Sequence, residues 1–148
     1  MKHVFRDYPL GFHQWAQKAA EASECADDQG KYWEYHDVLF AKQNSFNQTL
    51  QSEGLTGVLS AFKSEAAALG LDTATFDDCL DSGKHASEVQ KDFQDGQAYG
   101  VSGTPAFFIN GQLVSGAQPF AVFQQVIDAA LEEGEPGSAL PTVPSAGG

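Results

Sequence analysis

The sequence predicts an α/β fold in which a block of helices separates an N-terminal strand from a C-terminal pair of strands. Three observations carry that expectation. Residues 101–116 contain a Gly103-Thr104-Pro105 turn and two short apolar runs joined by Asn110-Gly111, a strong hairpin signal because both residues tolerate positive φ. A Thr-Pro peptide adopts the cis form at low cost, so a cis bond is expected there. Between residues 11 and 99 the apolar side chains recur with the period of helices that bury one face. Residues 2–8 carry Val4, Phe5 and Tyr8 among charges and stop at Pro9, which fits a short strand.

The elements follow in order. Phe12, Trp15, Ala16, Ala19, Ala20, Ser23 and Ala26 mark a first helix over residues 11–28, with Gln17, Lys18, Glu21 and Glu24 on its solvent side. Gly30 ends it. Tyr32, Trp33, His36, Leu39 and Phe40 share one face of a second helix. Residues 44–54 are polar and read as a loop. Val58, Leu59, Phe62, Ala66 and Leu69 then mark a third helix closed by Gly70. Thr73 is placed to cap a fourth, which holds Phe76, Cys79 and Leu80 and stops at Ser82-Gly83. A fifth runs over residues 84–99 with Val89 and Phe93 inward. After the hairpin, Phe120, Phe123, Val126, Ile127, Ala130 and Leu131 form a last amphipathic helix with Pro119 in its first turn. These elements make one domain over residues 1–133, with a helical insertion at residues 31–84. Residues 134–148, rich in proline and glycine, read as a disordered tail.

Composition narrows the function. The 148 residues are long enough to bury about two-thirds of the unfolded surface in one domain. A net charge of −12 repels phosphate backbones, so nucleic acid is not an expected partner. No apolar run approaches the roughly 18 residues of a membrane helix. The two cysteines, Cys25 and Cys79, do not form a Cys-x-x-Cys pair, and no metal is expected at them from spacing. His36 lies with Trp33 and Phe40 and reads as a packed histidine. Trp15, Trp33 and Phe40 read as core, and His3, His13 and His85 show no ligand spacing. The first residues hold charges where an export signal would be apolar.

Four stretches together resemble the DsbA-like thiol-disulfide oxidoreductases, thioredoxin folds with an inserted helical domain. They are Val4-Phe5-Arg6-Asp7-Tyr8-Pro9-Leu10; Cys25-Ala26 with Gln29-Gly30-Lys31-Tyr32-Trp33-Glu34 through Leu39-Phe40; Leu69-Gly70-Leu71-Asp72 through Cys79-Leu80; and Gly100-Val101-Ser102-Gly103-Thr104-Pro105. The likeness runs from Val4 to about Leu131. It has one departure. Such proteins place a strand and a Cys-x-x-Cys at a helix start before the segment that here begins at Val4, and this sequence holds neither. The chemistry needs that pair: one cysteine attacks as a low-pKa thiolate, and the second resolves the mixed disulfide. No catalytic residue is therefore assigned in this chain.

The resemblance implies that the absent strand lies between the strands at residues 2–8 and 106–109. Its loss leaves a gap about 10 Å wide, twice the usual strand spacing of about 4.8 Å. The two strands close up, another chain fills the lane, or the sequence belongs to a longer protein. The last is preferred, because the absent piece would also hold the export signal that the cysteines ask for. The same resemblance implies a structural Cys25–Cys79 disulfide, the alternative being two buried free thiols, and hence an oxidising, periplasmic or extracytoplasmic location. It implies that Thr104 and Pro105 form a cis-proline loop that pairs with extended segments of exported substrates. A membrane redox partner is implied and no cofactor. The expected activity is protein thiol-disulfide exchange. A redox-inactive peptide-binding module and a glutathione-dependent enzyme acting through a serine are the competing classes.

Overall fold

The computed structural model describes residues 1–132, so the tail expected over residues 134–148 lies outside the described residues. The chain divides into two compact units, residues 1–93 and residues 94 onward. The first is helical: α1 (Ala16–Asp27), α2 (Tyr32–Ala41), α3 (Gln43–Ala68), α4 (Thr73–Ser82) and most of α5 (Ala86–Ala98). The second holds the end of α5, β1 (Ala106–Ile109), β2 (Gln112–Ser115) and α6 (Phe120–Glu132).

In the first unit α1 contributes the small residues Ala19, Ala22, Cys25 and Ala26, which let its neighbours approach closely. Tyr35, Phe46, Phe62, Phe76, Val58 and Leu80 fill the space around them and are fully buried. Each such side chain contributes about 1.5–3 kcal/mol through removal from water. The Tyr35 hydroxyl donates to the Phe62 carbonyl at 3.0 Å, so its one buried polar group is satisfied. Trp15 packs edge-on against Phe46 and Phe62, with ring centroids 5.8 and 6.0 Å away. α4 is capped by Asp72, whose carboxylate accepts from the Thr75 amide at 2.8 Å, and closed by Gly83 at φ 65°.

Several expectations are corrected here. Residues 2–8 form no strand, and the described residues contain a two-stranded sheet instead of three strands. Strand geometry requires a ladder of backbone partners. This segment is held by side chains instead: Arg6 pairs with Asp92 at 2.7 Å, Tyr8 lies over Phe93 at 4.6 Å, and Phe5 meets Tyr32, Trp33 and His36. Residues 44–54 are helical, because Phe46, fully buried, and Leu50, packed against the core, lie one turn apart and anchor the segment. The helix breaks at Gly54, whose φ of 69° only glycine adopts readily. Asp72, not Thr73, caps α4. Trp33 and Phe40 are exposed, since α2 turns Tyr35 and Leu39 inward. Glu21 is buried on α1, with its charge answered by Lys18 at 2.6 Å.

The second unit is built on the hairpin. β1 and β2 pair antiparallel, Ala106 opposite Ser115 and Ile109 opposite Gln112, around a turn with Asn110 at φ 50° and Gly111 at φ 87°. Both central residues have positive φ, as a type I′ turn demands. α6 turns Val122, Phe123, Val126, Ile127 and Ala130 partly inward, and Phe107 meets Phe123 at 4.8 Å. The opposite face of β1 presents Phe108, 6.0 Å from Tyr99. No described helix is long and apolar enough to cross a membrane.

Candidate functional site

Two loci carry the residues singled out in the sequence, one in each unit. In the second unit the chain passes Gly103 and Thr104, and the Thr104–Pro105 peptide is cis. Thr104 and Pro105 are exposed. The Pro105 carbonyl accepts from the Gly116 amide at 2.8 Å, which fastens the loop to the far end of β2 and starts β1 in register. Pairing with β2 occupies one edge of β1; among the described residues its other edge has no strand neighbour. An open strand edge beginning at an exposed proline loop is a template for a peptide in extended conformation.

In the first unit Cys25 and Cys79 form a disulfide between α1 and α4, with Cα atoms 5.9 Å apart and a sequence separation of 54. Cys25 is almost fully buried and Cys79 nearly so. Charged groups line its outer side. Asp28 accepts from Lys84 at 2.7 Å and lies 2.9 Å from His85 Nε2, while His85 Nδ1 lies 3.0 Å from Glu88. Partial burial pushes Asp28 up, but the hydrogen bonds from His85 and Lys84 outweigh it and hold the carboxyl below its usual range. Burial lowers His85, and its bonds to Asp28 and Glu88 more than reverse this, so the imidazole holds its proton above the usual range.

Beside this cluster lies a feature that sequence reasoning missed. Burial, with Asp92 nearby, pushes Asp7 up to about 6; burial, with Asp7 and Glu88 nearby, pushes Glu24 up to about 7. The Asp7 charge is itself one cause of the Glu24 shift, because neighbouring negative charges repel and each favours the other's neutral form. The sequence offered a weak signal for Asp7, the one acid between Phe5 and Tyr8, and none for Glu24, which the helical period put in solvent. His36 is partly buried among Phe5, Trp33 and Phe40 and lies 3.1 Å from Asp37.

The comparisons with known proteins agree with this architecture. The family model described as Thioredoxin matches residues 1–129, and the chain belongs to the thioredoxin family. It is 34% identical over 132 residues to a protein named Na(+)/H(+) antiporter NhaA 1 of Salinispora arenicola, covering 88% of this chain and 19% of that protein. To a Na(+)/H(+) antiporter NhaA of Herminiimonas arsenicoxydans it is 32% identical over 145 residues, covering 98% and 21%. To disulfide bond formation protein D of Bacillus subtilis it is 28% identical over 120 residues, covering 77% and 50%. The chain thus spans about a fifth of the antiporter-named relatives and half of the disulfide-formation one. No solved structure matches it.

Proposed function

We propose that this chain is the substrate-facing portion of a DsbA-like protein thiol-disulfide oxidoreductase whose Cys-x-x-Cys pair is contributed from outside the sequence described. The observation that carries the reading is the exposed Thr104-Pro105 loop leading into β1, a strand with one open edge among the described residues, in a thioredoxin-family chain. A relative named for disulfide bond formation supports the chemistry. In this reading the backbone beside Thr104 and Pro105 pairs with an extended segment of an exported protein, presenting a substrate cysteine to the redox pair. A thiolate attacks one sulfur of a disulfide, a mixed disulfide forms, and the neighbouring thiolate displaces it, so two electrons pass between the partners.

The missing strand and first helix of the fold, in this reading, lie against the open edge of β1. The helices of the first unit are, in this reading, the inserted domain. The full protein works in the periplasm or another extracytoplasmic space, regenerated by a membrane redox partner. Cys25 and Cys79 serve as a structural bridge, with no metal or organic cofactor needed for exchange.

A redox-inactive peptide-binding module is the second reading. It is favoured by one observation: both cysteines of the sequence are bonded to each other, so this chain alone has no thiol to exchange. The readings separate in two assays. Insulin reduction by this chain with dithiothreitol should equal the blank, and joining the upstream coding segment should raise it if that segment carries the pair. NMR titration with an extended cysteine-free peptide should shift amides at residues 103–109; silence there would remove both readings.

A further inference from the structure

We propose that Cys25, Cys79, His85 and Asp28 become the ligands of a zinc-type divalent cation when the Cys25–Cys79 bond is reduced. The inference is independent of the redox reading above. Three parts of the first unit bring the donors together: the end of α1 with Asp28 after it, α4, and the turn entering α5. The sulfurs of Cys25 and Cys79 and a ring nitrogen of His85 all lie within 4.8 Å of one another. Asp28 Oδ2 joins them, 3.7 Å from Cys79 Sγ and 2.9 Å from His85 Nε2.

Two thiolates, an imidazole and a carboxylate suit zinc, which takes sulfur at about 2.3 Å and nitrogen or oxygen at about 2.0–2.2 Å in a tetrahedron. Those lengths place neighbouring ligand atoms about 3.3–3.8 Å apart. The freed sulfurs must therefore separate, and Asp28 Oδ2 and His85 Nε2, 2.9 Å apart, must open by about 0.4 Å. Rotation about the Cα–Cβ bonds supplies the first movement, because the two Cα atoms are 5.9 Å apart. The outer shell is already in place. With Nε2 turned to the metal, His85 Nδ1–H donates to Glu88 at 3.0 Å, the carboxylate–histidine arrangement that orients metal-binding imidazoles. Lys84, 2.7 Å from Asp28, offsets the net negative charge of two thiolates and a carboxylate around a dication.

The steps balance. A dithiol cleaves the Cys25–Cys79 bond by exchange, passing two electrons and two protons to the sulfurs and leaving as a disulfide. Zinc then binds as both thiol protons pass to solvent. The cation replaces the covalent link between α1 and α4, so the first unit stays closed in its reduced form. Sequence spacing gave no sign of this, since the two sulfur ligands are 54 residues apart.

The test uses the full chain, oxidised or reduced with a phosphine, and Zn²⁺ alone as probe. Native mass spectrometry and competition with a chromophoric chelator should show one zinc on the reduced chain and none on the oxidised one. Co²⁺ should give the absorption of a tetrahedral thiolate site. H85A and D28N should each weaken binding by about tenfold or more, and the Cys25→Ala/Cys79→Ala double variant should bind none. Equal binding by the oxidised chain would overturn the proposal by placing the cation on Glu24, His85 and Glu88, whose donor atoms are also mutually close. No binding by the reduced chain, or unchanged affinity in H85A, would overturn it as well. If reduction melts the helices, regained helical circular dichroism on adding Zn²⁺ supports the site, and failure to regain it overturns the site.

Discussion

The two units of this chain solve the burial problem differently. The first encloses Tyr35, Phe46, Phe62, Phe76 and Leu80 within its helices and ties α1 to α4 with a disulfide. In the second, among the described residues, only Val114 is buried, while Phe107, Phe108, Leu113, Phe120 and Leu131 stand exposed. A hairpin with one helix over it has too little surface to shield its apolar side chains. The difference teaches that the first unit closes over its own apolar side chains, while the second leaves them in water and one edge of β1 without a strand neighbour among the described residues.

The comparison breaks most visibly at the disulfide. In the chain-entropy model, bridging a separation of 54 residues stabilises by about 4 kcal/mol. Thermal unfolding of the Cys25→Ala/Cys79→Ala variant should show this loss in the helical signal, with the hairpin resonances of residues 106–115 unmoved. A smaller effect is expected at Tyr35. Replacing it by Phe leaves the Phe62 carbonyl without its 3.0 Å donor in a dry core and should cost about 1–3 kcal/mol in chemical denaturation.

The carboxyl pair gives a pH-dependent effect. Asp7 and Glu24 titrate at about 6 and about 7 when folded, against ordinary values of 3.8 and 4.5. Folding therefore favours their protonated forms. The resulting stabilisation is full below the ordinary values and is lost as pH rises through about 6 and 7. Asp7→Asn removes the charge while keeping a hydrogen-bonding group. Relative to the unaltered chain, its Tm should be higher by a few degrees at pH 8 and gain less at pH 5. An equal difference at both pH values would contradict the raised Asp7 value.

The smallest effect is expected on the open sheet. Phe108→Ser should change stability by less than about 0.5 kcal/mol, because the ring is already half in water. Binding of a hydrophobic dye to the chain should fall.

What was legible in the sequence was local. Asn110-Gly111 and Thr104-Pro105 set backbone conformation within a few residues, so the hairpin and its entry could be read directly. Val4, Phe5 and Tyr8 among the charges of residues 2–8 could not say whether a ladder partner exists, and the segment took its contacts from side chains instead. Glu24 was put in solvent because helical period marks one buried face, whereas α1 is approached by α2, α3 and α4 together with residues 2–8. Trp33 and Phe40 were read as core for the same reason: the period cannot tell which of two apolar faces of α2 is covered. Phe46 and Leu50 were too sparse among polar residues to announce a helix. The cluster of Asp28, His85 and the two cysteines arises only when α1, α4 and the start of α5 converge.

Amide hydrogen exchange on the full chain tests the central contrast most directly. The amides of α1 and α4 should exchange only by global opening, those of β1 should exchange orders of magnitude faster, and an extended peptide should slow β1 alone. Protection of β1 equal to that of α1 in the free chain would contradict the account.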